Sequence, residues 1–359
     1  MGIGALDSAI FADMFGTAAM REAFGDDAFL ARCVEVEAAL ARAQGKLGII
    51  PAEAAAAITH IASSLAAGRE ALDLARLKNE TETVGYPILP LVRQLAEFAS
   101  AAGRYLHWGA TTQDIMDTAA VLQIRAGLAL IEEDLTATRS HLAALARKYR
   151  DTPMAGRTHL QHALPVTFGY KAAVWLYALD RHADRLRELR PRVLLAQFGG
   201  AAGTLASLGN GEEALKTRAE LARELGLGDP AITWHVEWVA LPEAFGYAAG
   251  ALHQARFMLG GLIVDAGRMA KNLAMTHGLI VAEAVMMGLA PHTGRNEAHD
   301  LVYDACRAAI ETDRPLLDVL METPAVAAPL GAEKLRALTD PTNYLGAAPA
   351  MVDRLLAGR

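Results

Sequence analysis

From Ile115 to Arg150 the chain runs without proline and with a single glycine, Gly127. Ile124, Ile131 and Leu145 fall on one seven-residue series, and Leu128, Leu135, Leu142 and Tyr149 on the series four residues later. Apolar residues on two such series form a stripe along one side of a helix, so the segment predicts a helix of about 50 Å at 1.5 Å per residue. A rod of that length must lay its stripe against other rods, which points to a helical bundle. Asp151-Thr152-Pro153 stops it.

The other periodic segments are also helical. Residues 26–47 predict an amphipathic helix ended by Gly48 and Pro51, residues 52–67 an alanine-rich one, and residues 87–101 a third with Pro87 at its start. A second long helix is expected from Pro165 to Arg190, where Pro191 interrupts, and a third from Leu241-Pro242 to about Leu273. Shorter helices broken by Pro291, Pro315, Pro324 and Pro341 fill the tail. No alternating strand pattern of consequence and no fixed-period repeat is found. The expected fold class is all-α, with an N-terminal helical domain at 1–108, a central long-helix bundle at 109–273 and a C-terminal helical domain at 274–359.

Composition narrows the function classes. With 53% hydrophobic and 21% charged residues the chain is globular, and with only 6% aromatics its core rests on Ala, Leu, Val and Ile. A net charge of -7 without a basic patch argues against nucleic acid. The N-terminus lacks the pattern of a secretory signal, and the apolar run Met258–Val264 ends at Asp265, so a soluble, cytoplasmic protein with no membrane partner is expected. Cys33 and Cys306 show no metal-ligand spacing and read as reduced structural thiols.

Four segments have the residue types for chemistry. The first, Tyr105-Leu106-His107-Trp108-Gly109-Ala110-Thr111-Thr112-Gln113-Asp114, precedes the longest helix. Thr111 and Asp114 have the spacing of a capping box, and the same helix start could hold a substrate carboxylate on free N–H groups; both readings fit. The second, Gly156-Arg157-Thr158-His159-Leu160-Gln161-His162-Ala163-Leu164-Pro165, joins two long helices and sets Thr158, His159 and Gln161 beside Arg157. Such a set could orient an anion and move a proton near neutral pH. The third, Trp234-His235-Val236-Glu237-Trp238, suits aromatic packing at a domain junction. In the fourth, Lys271 and Asn272 fit a solvated helix end or a polar site. The run Gly199-Gly200-Ala201-Ala202-Gly203-Thr204 follows a helix, so it reads as a loop or a close packing point rather than a phosphate cradle.

In this order the segments resemble the fumarase/aspartase superfamily. Tyr105–Thr118 is similar to its first signature region, and Gly156–Gly169 to its second, the Thr-His-x-Gln-x-x-x-Pro stretch. His107-Trp108-Gly109-Ala110-Thr111, Trp234-His235, Glu237-Trp238-Val239-Ala240-Leu241-Pro242-Glu243 and Ala282-Glu283-Ala284 look most like the bacterial 3-carboxy-cis,cis-muconate cycloisomerases. The resemblance extends from about residue 10 to 350. It implies a homotetramer with composite active sites, a tricarboxylate substrate from aromatic-compound degradation, and no cofactor or metal. The implied reaction adds a carboxylate oxygen across a conjugated double bond and protonates the carbon next to another carboxylate. By resemblance His159 would transfer the proton or stabilise charge. Thr111, Thr112, Gln113 and Thr158 would bind substrate carboxylates with Gln161 in support, and His107 would shape the site; Lys271 and Asn272 are candidate binding residues on their residue types alone.

Two departures stand out. Lys78-Asn79-Glu80-Thr81-Glu82-Thr83 lacks the histidine that adenylosuccinate lyases carry in this region. The third signature, a loop of the form Gly-Ser-Ser-x-Met-Pro-x-Lys-x-Asn-Pro with a catalytic serine, is absent, as though the chain joined the family's first Trp-His to its second at His235-Val236. Two other readings stay open: a non-catalytic oligomeric scaffold that keeps the fold, and a lyase acting on another substituted succinate. A di-iron bundle is disfavoured, because Glu297-Ala298-His299 has the wrong spacing for an inward Glu-x-x-His pair.

Overall fold

The computed structural model describes residues 4–209, 211–232 and 240–358. In chain order its helices are α1 (Ala12–Phe15), α2 (Ala18–Phe24), α3 (Asp26–Lys46), α4 (Ala52–Ala66), α5 (Leu74–Val84), α6 (Ile88–Ala99) and α7 (Thr112–Lys148). A hairpin of β1 (Pro153–Thr158) and β2 (Gln161–Thr167) follows, then α8 (Phe168–Val193), α9 (Glu212–Leu225) and α10 (Ala240–Gly260). The remainder forms α11 (Ala266–Ala274), α12 (Ala282–Thr293), α13 (Arg295–Thr312), α14 (Leu316–Glu322), α15 (Pro324–Leu338) and α16 (Ala348–Leu356). The fold is thus mostly helical, as expected. Among the described residues, no single helix is long and apolar enough to cross a membrane.

Helix α7, at 37 residues, carries the predicted seam. Ile124, Leu128, Leu135 and Leu142 are buried, and Ile131, Leu145 and Tyr149 half-buried. Gly127 has a packing role. A Cβ there would come within 2.8 Å of Phe245 and 2.9 Å of Phe24, whose rings lie 5.1 Å apart against the helix.

The chain divides into two compact units, each made of separate stretches. The first comprises Met1–Leu135 and Ala183–Ala255. Its core joins α3, α4, α6, the N-terminal half of α7 and α9 through Cys33, Leu40, Ile58, Leu91, Ile115, Leu122, Phe198 and Leu221. Each large aliphatic side chain so buried contributes about 1.5–3 kcal/mol.

The second unit comprises Thr136–His182 and Arg256–Arg359. One of its clusters, Val285, Leu289, Val302, Leu316, Leu320, Val326 and Leu335, holds α12–α15 together. Another joins the end of α7 to α8, α10 and α16 through Leu142, Ala146, Ala172, Leu176, Leu259 and Val352.

The hairpin corrects the expectation that no strand of consequence exists. It pairs Met154 with Val166 and Thr158 with Gln161, with a register shift between Ala155 and Arg157. Only its base is buried, at Met154, Ala155, Pro165 and Thr167. The tip is exposed on both faces, so no alternation of apolar and polar residues marks it.

Some boundaries also differ. Pro191 lies inside the last turn of α8 and Pro291 inside α12, so neither breaks its helix. The expected helix from 241 to 273 is two. α10 ends at Gly260-Gly261, and α11 starts afresh where the Asp265 carboxylate accepts the Arg268 N–H at 2.8 Å.

Candidate active site

Two residues on one face of α3 hold the turn that leads into α7. Glu37 and Gln44 are seven positions apart, two helical turns, and both are buried. Glu37 Oε1 lies 2.6 Å from His107 Nδ1, and Oε2 accepts the His107 backbone N–H at 3.2 Å. Gln44 donates to the Trp108 carbonyl at 2.7 Å. The turn needs this grip, because His107 sits at φ 58°, where a side chain is strained. Gly109, at φ 74°, approaches so closely that a Cβ would meet Leu208 at 2.5 Å. Burial opposes charging the His107 ring, but the Glu37 hydrogen bond and charge, with Asp114 adding, outweigh it and hold its pKa above the usual histidine value.

Asp114, in the first turn of α7, ties three segments together. Its carboxylate accepts N–H groups from Thr111 at 2.9 Å, Gly199 at 2.7 Å and Gly200 at 2.9 Å. The predicted capping box is therefore present in its acidic half. The two glycine N–H groups that might have cradled a phosphate are taken by a protein carboxylate. Burial raises the Asp114 carboxyl, against the pull of the three donors. One turn further on, the buried Thr118 hydroxyl both donates to the Gln197 carbonyl at 2.8 Å and accepts its N–H at 3.0 Å. The glycine-rich loop is thereby fixed to α7 at two successive levels.

Between loop and helix lies a cleft of about 540 Å³, lined by Thr111, Gln113, Asp114, Asp117, Gln197, Gly200 and the following Ala201–Gly203, with Ile232. Gln113 donates to Asp117 at 2.8 Å. Thr111 and Gln113 thus line one cleft. Thr112 is half-buried beside them and does not line it. The N–H groups at the start of α7 and its dipole favour an anion here.

In the other unit, Thr158, His159 and Gln161 come together at the hairpin tip. His159 and Leu160 form its two-residue turn at φ 49° and 60°, the left-handed pair of a type I′ turn, without the usual Asn or Gly. All three predicted residues are exposed, and so is Leu160. Lys271 is exposed and Asn272 half-buried on α11, which packs on β1 through Leu273 and Ala155. The predicted residues therefore form two sets, one in each unit. Trp234, His235, Glu237 and Trp238 lie outside the described residues.

Sequence reasoning missed Glu37, Gln44, Asp117, Thr118 and Gln197. A signal existed for the first two, as an acid and an amide on the apolar face of a core helix. Among the described residues, no group of three His, Cys, Asp or Glu side chains could hold a metal ion.

Two family models match the sequence: one described as Lyase over residues 15–254, and one described as Adenylosuccinate lyase C-terminus over residues 278–355. A 3-carboxy-cis,cis-muconate cycloisomerase of Pseudomonas aeruginosa is 40% identical over 446 residues, covering 97% of this chain and 96% of the relative. That span exceeds the 359 residues here by 87, so at least 87 aligned positions are filled only in the relative. Trans-aconitate decarboxylase 1 of Mycosarcoma maydis is 37% identical, covering 96% of this chain and 88% of that protein. The crystal structure of a fumarate lyase from Mesorhizobium sp. BNC1 superposes with a TM-score of 0.92 at 51% identity, covering 96% of this chain and 99% of that one. By these matches and by its fold, the chain belongs to the fumarase/aspartase superfamily of lyases.

Proposed function

We propose that the chain binds a tricarboxylate of the 3-carboxy-cis,cis-muconate type and keeps the binding half of a cycloisomerase site. The cleft of Thr111, Gln113 and Asp114 at the start of α7 carries this reading. The Thr111 and Gln113 side chains line it at the positive end of the α7 dipole, which suits a carboxylate. Thr112 lies beside this cleft without lining it, and Thr158, Gln161, Lys271 and Asn272 are residues we assign to substrate binding from another copy of the chain. In the reaction a carboxylate oxygen attacks one end of a conjugated double bond. The electron pair moves toward the carbon next to another carboxylate, and that carbon takes a proton. His159 is the group we assign to proton transfer or to stabilising the doubly charged intermediate. His107 shapes the site.

A composite site in a homotetramer fits two observations. The hairpin tip that carries His159 is exposed. Exposed apolar residues on the long helices, among them Val174, Trp175 and Tyr177 on α8 and Phe257 and Met258 on α10, suit helix packing between subunits.

The sequence contains no Gly-Ser-Ser-x-Met-Pro stretch, so the serine base of the family is missing and turnover is expected to be low. Calorimetry with 3-carboxymuconate, paired with loss of the diene absorbance, tests both parts. Binding with little turnover supports the proposal. Normal turnover overturns the argument from the serine, and no binding overturns the site. A second reading, a lyase acting on another substituted succinate, is favoured by the 51% identity to a protein described as a fumarate lyase. Release of a fumarate-type product from a substituted succinate would select it.

A further inference from the structure

Glu37 is a carboxylate in an apolar stretch of α3, among Cys33, Val34, Val36, Ala38 and Leu40, and is 2% exposed. A charge so placed is costly unless its oxygens are bonded. Both are bonded, and by one residue: Oε2 accepts the His107 backbone N–H, and Oε1 lies 2.6 Å from Nδ1. The pairing puts the Nδ1 proton toward the carboxylate, so Nε2 is the nitrogen left for another partner, an acceptor in the neutral ring and a donor in the protonated one. No described residue takes that nitrogen, and the His107 side chain keeps 23% of its surface exposed. His107 is not among the residues lining the cleft, but Thr111, four residues on, is, and Asp114, whose carboxylate lines it, lies near enough for its charge to act on the ring.

We propose that Glu37 is a positioning residue for the carboxylate site: its two-point grip fixes His107 so that Nε2–H donates to a carboxylate group of the acid held by Thr111 and Gln113. The proposal rests on the function proposed above. Glu37 on α3 and Asp114 on α7 are the charged groups whose fields reach the ring, and together they outweigh the effect of burial and favour its protonated form. A cation there offsets the acidic lining of Asp114 and Asp117, which would otherwise repel a triply charged ligand.

The test uses the full chain in its native assembly, with histidine labelled at the imidazole carbon. The chain has 11 histidines, and the His107 signal is identified by its loss in His107→Asn. Glu37→Gln is expected to lower the His107 titration midpoint by about one pH unit or more. It is also expected to weaken binding of tricarballylate roughly tenfold between the two titration midpoints, with the loss shrinking as pH falls below the variant's own midpoint. Glu37→Asp, which keeps the charge on a shorter arm, is expected to recover part of the midpoint, and it serves as the test if Glu37→Gln does not fold. An unchanged midpoint, or an equal loss of binding at every pH, would overturn the proposal and leave Glu37 a structural role alone. If wild-type protein does not bind tricarballylate, the carboxylate site itself fails; the midpoint then still decides whether Glu37 sets the proton on His107.

Discussion

The Asp114 carboxylate accepts the backbone N–H of Gly199 at 2.7 Å, joining the first turn of α7 to a loop 85 residues away in sequence. Gly200 and Thr111 donate to the same group. Asp114→Ala leaves these donors without their acceptor in a site closed to much of the solvent. We expect a loss of about 2–4 kcal/mol, seen as a lower denaturant midpoint at unchanged slope. Ligand binding at the cleft should fall with it, because the loop forms one wall. An unchanged midpoint would show that the latch is not needed.

Gly169 lets the start of α8 cross the end of α7. A Cβ at this position would lie 2.6 Å from the Ala146 carbonyl oxygen and 2.6 Å from Arg150 Cα, both backbone atoms that cannot rotate away. Gly169→Ala is therefore expected to destabilise the protein by about 1–3 kcal/mol, the usual cost of overpacking. Thermal unfolding measures it.

The hairpin turn separates strain from chemistry. Leu160 is fully exposed at φ 60°, so Leu160→Gly removes the strain of a left-handed residue without removing a packed side chain. We expect a gain of about 0.5–1 kcal/mol. His159→Asn keeps a residue that tolerates φ 49° but cannot transfer a proton. It should leave stability unchanged and abolish residual turnover. Equal turnover in wild type and His159→Asn would remove the assignment of His159.

The Glu37–His107 pair gives stability a pH dependence of definite sign. Because the ring's folded-state pKa is raised, the pair's contribution is fully present below about pH 6.5, the ordinary histidine value. It is lost as pH rises through the raised value. Denaturation midpoints of wild type should therefore fall relative to Glu37→Gln over that window. A rise would contradict the assignment.

Much of the fold could be read from periodicity. The spacing of Leu128, Leu135 and Leu142 and the stop at Pro153 located α7, because one face of a long helix repeats a local rule many times. The hairpin could not be read, since its register comes from pairing between Met154 and Val166 and not from an alternating pattern. The polar segments before α7 and α8 were legible as clusters of Thr, His, Gln and Asp. Their supports were not. Glu37 lies 70 residues from His107, and Gln197 lies 79 residues from Thr118, contacts that only the tertiary fold creates.

The most direct test of the account is calorimetric titration of the full chain with 3-carboxy-cis,cis-muconate, beside Thr111→Val and Gln113→Ala variants that retain the wild-type unfolding midpoint. The account predicts saturable binding by the wild type and a roughly tenfold or greater loss, about 1.4 kcal/mol or more, in each variant. Binding of equal strength in all three proteins, or none in the wild type, would contradict it.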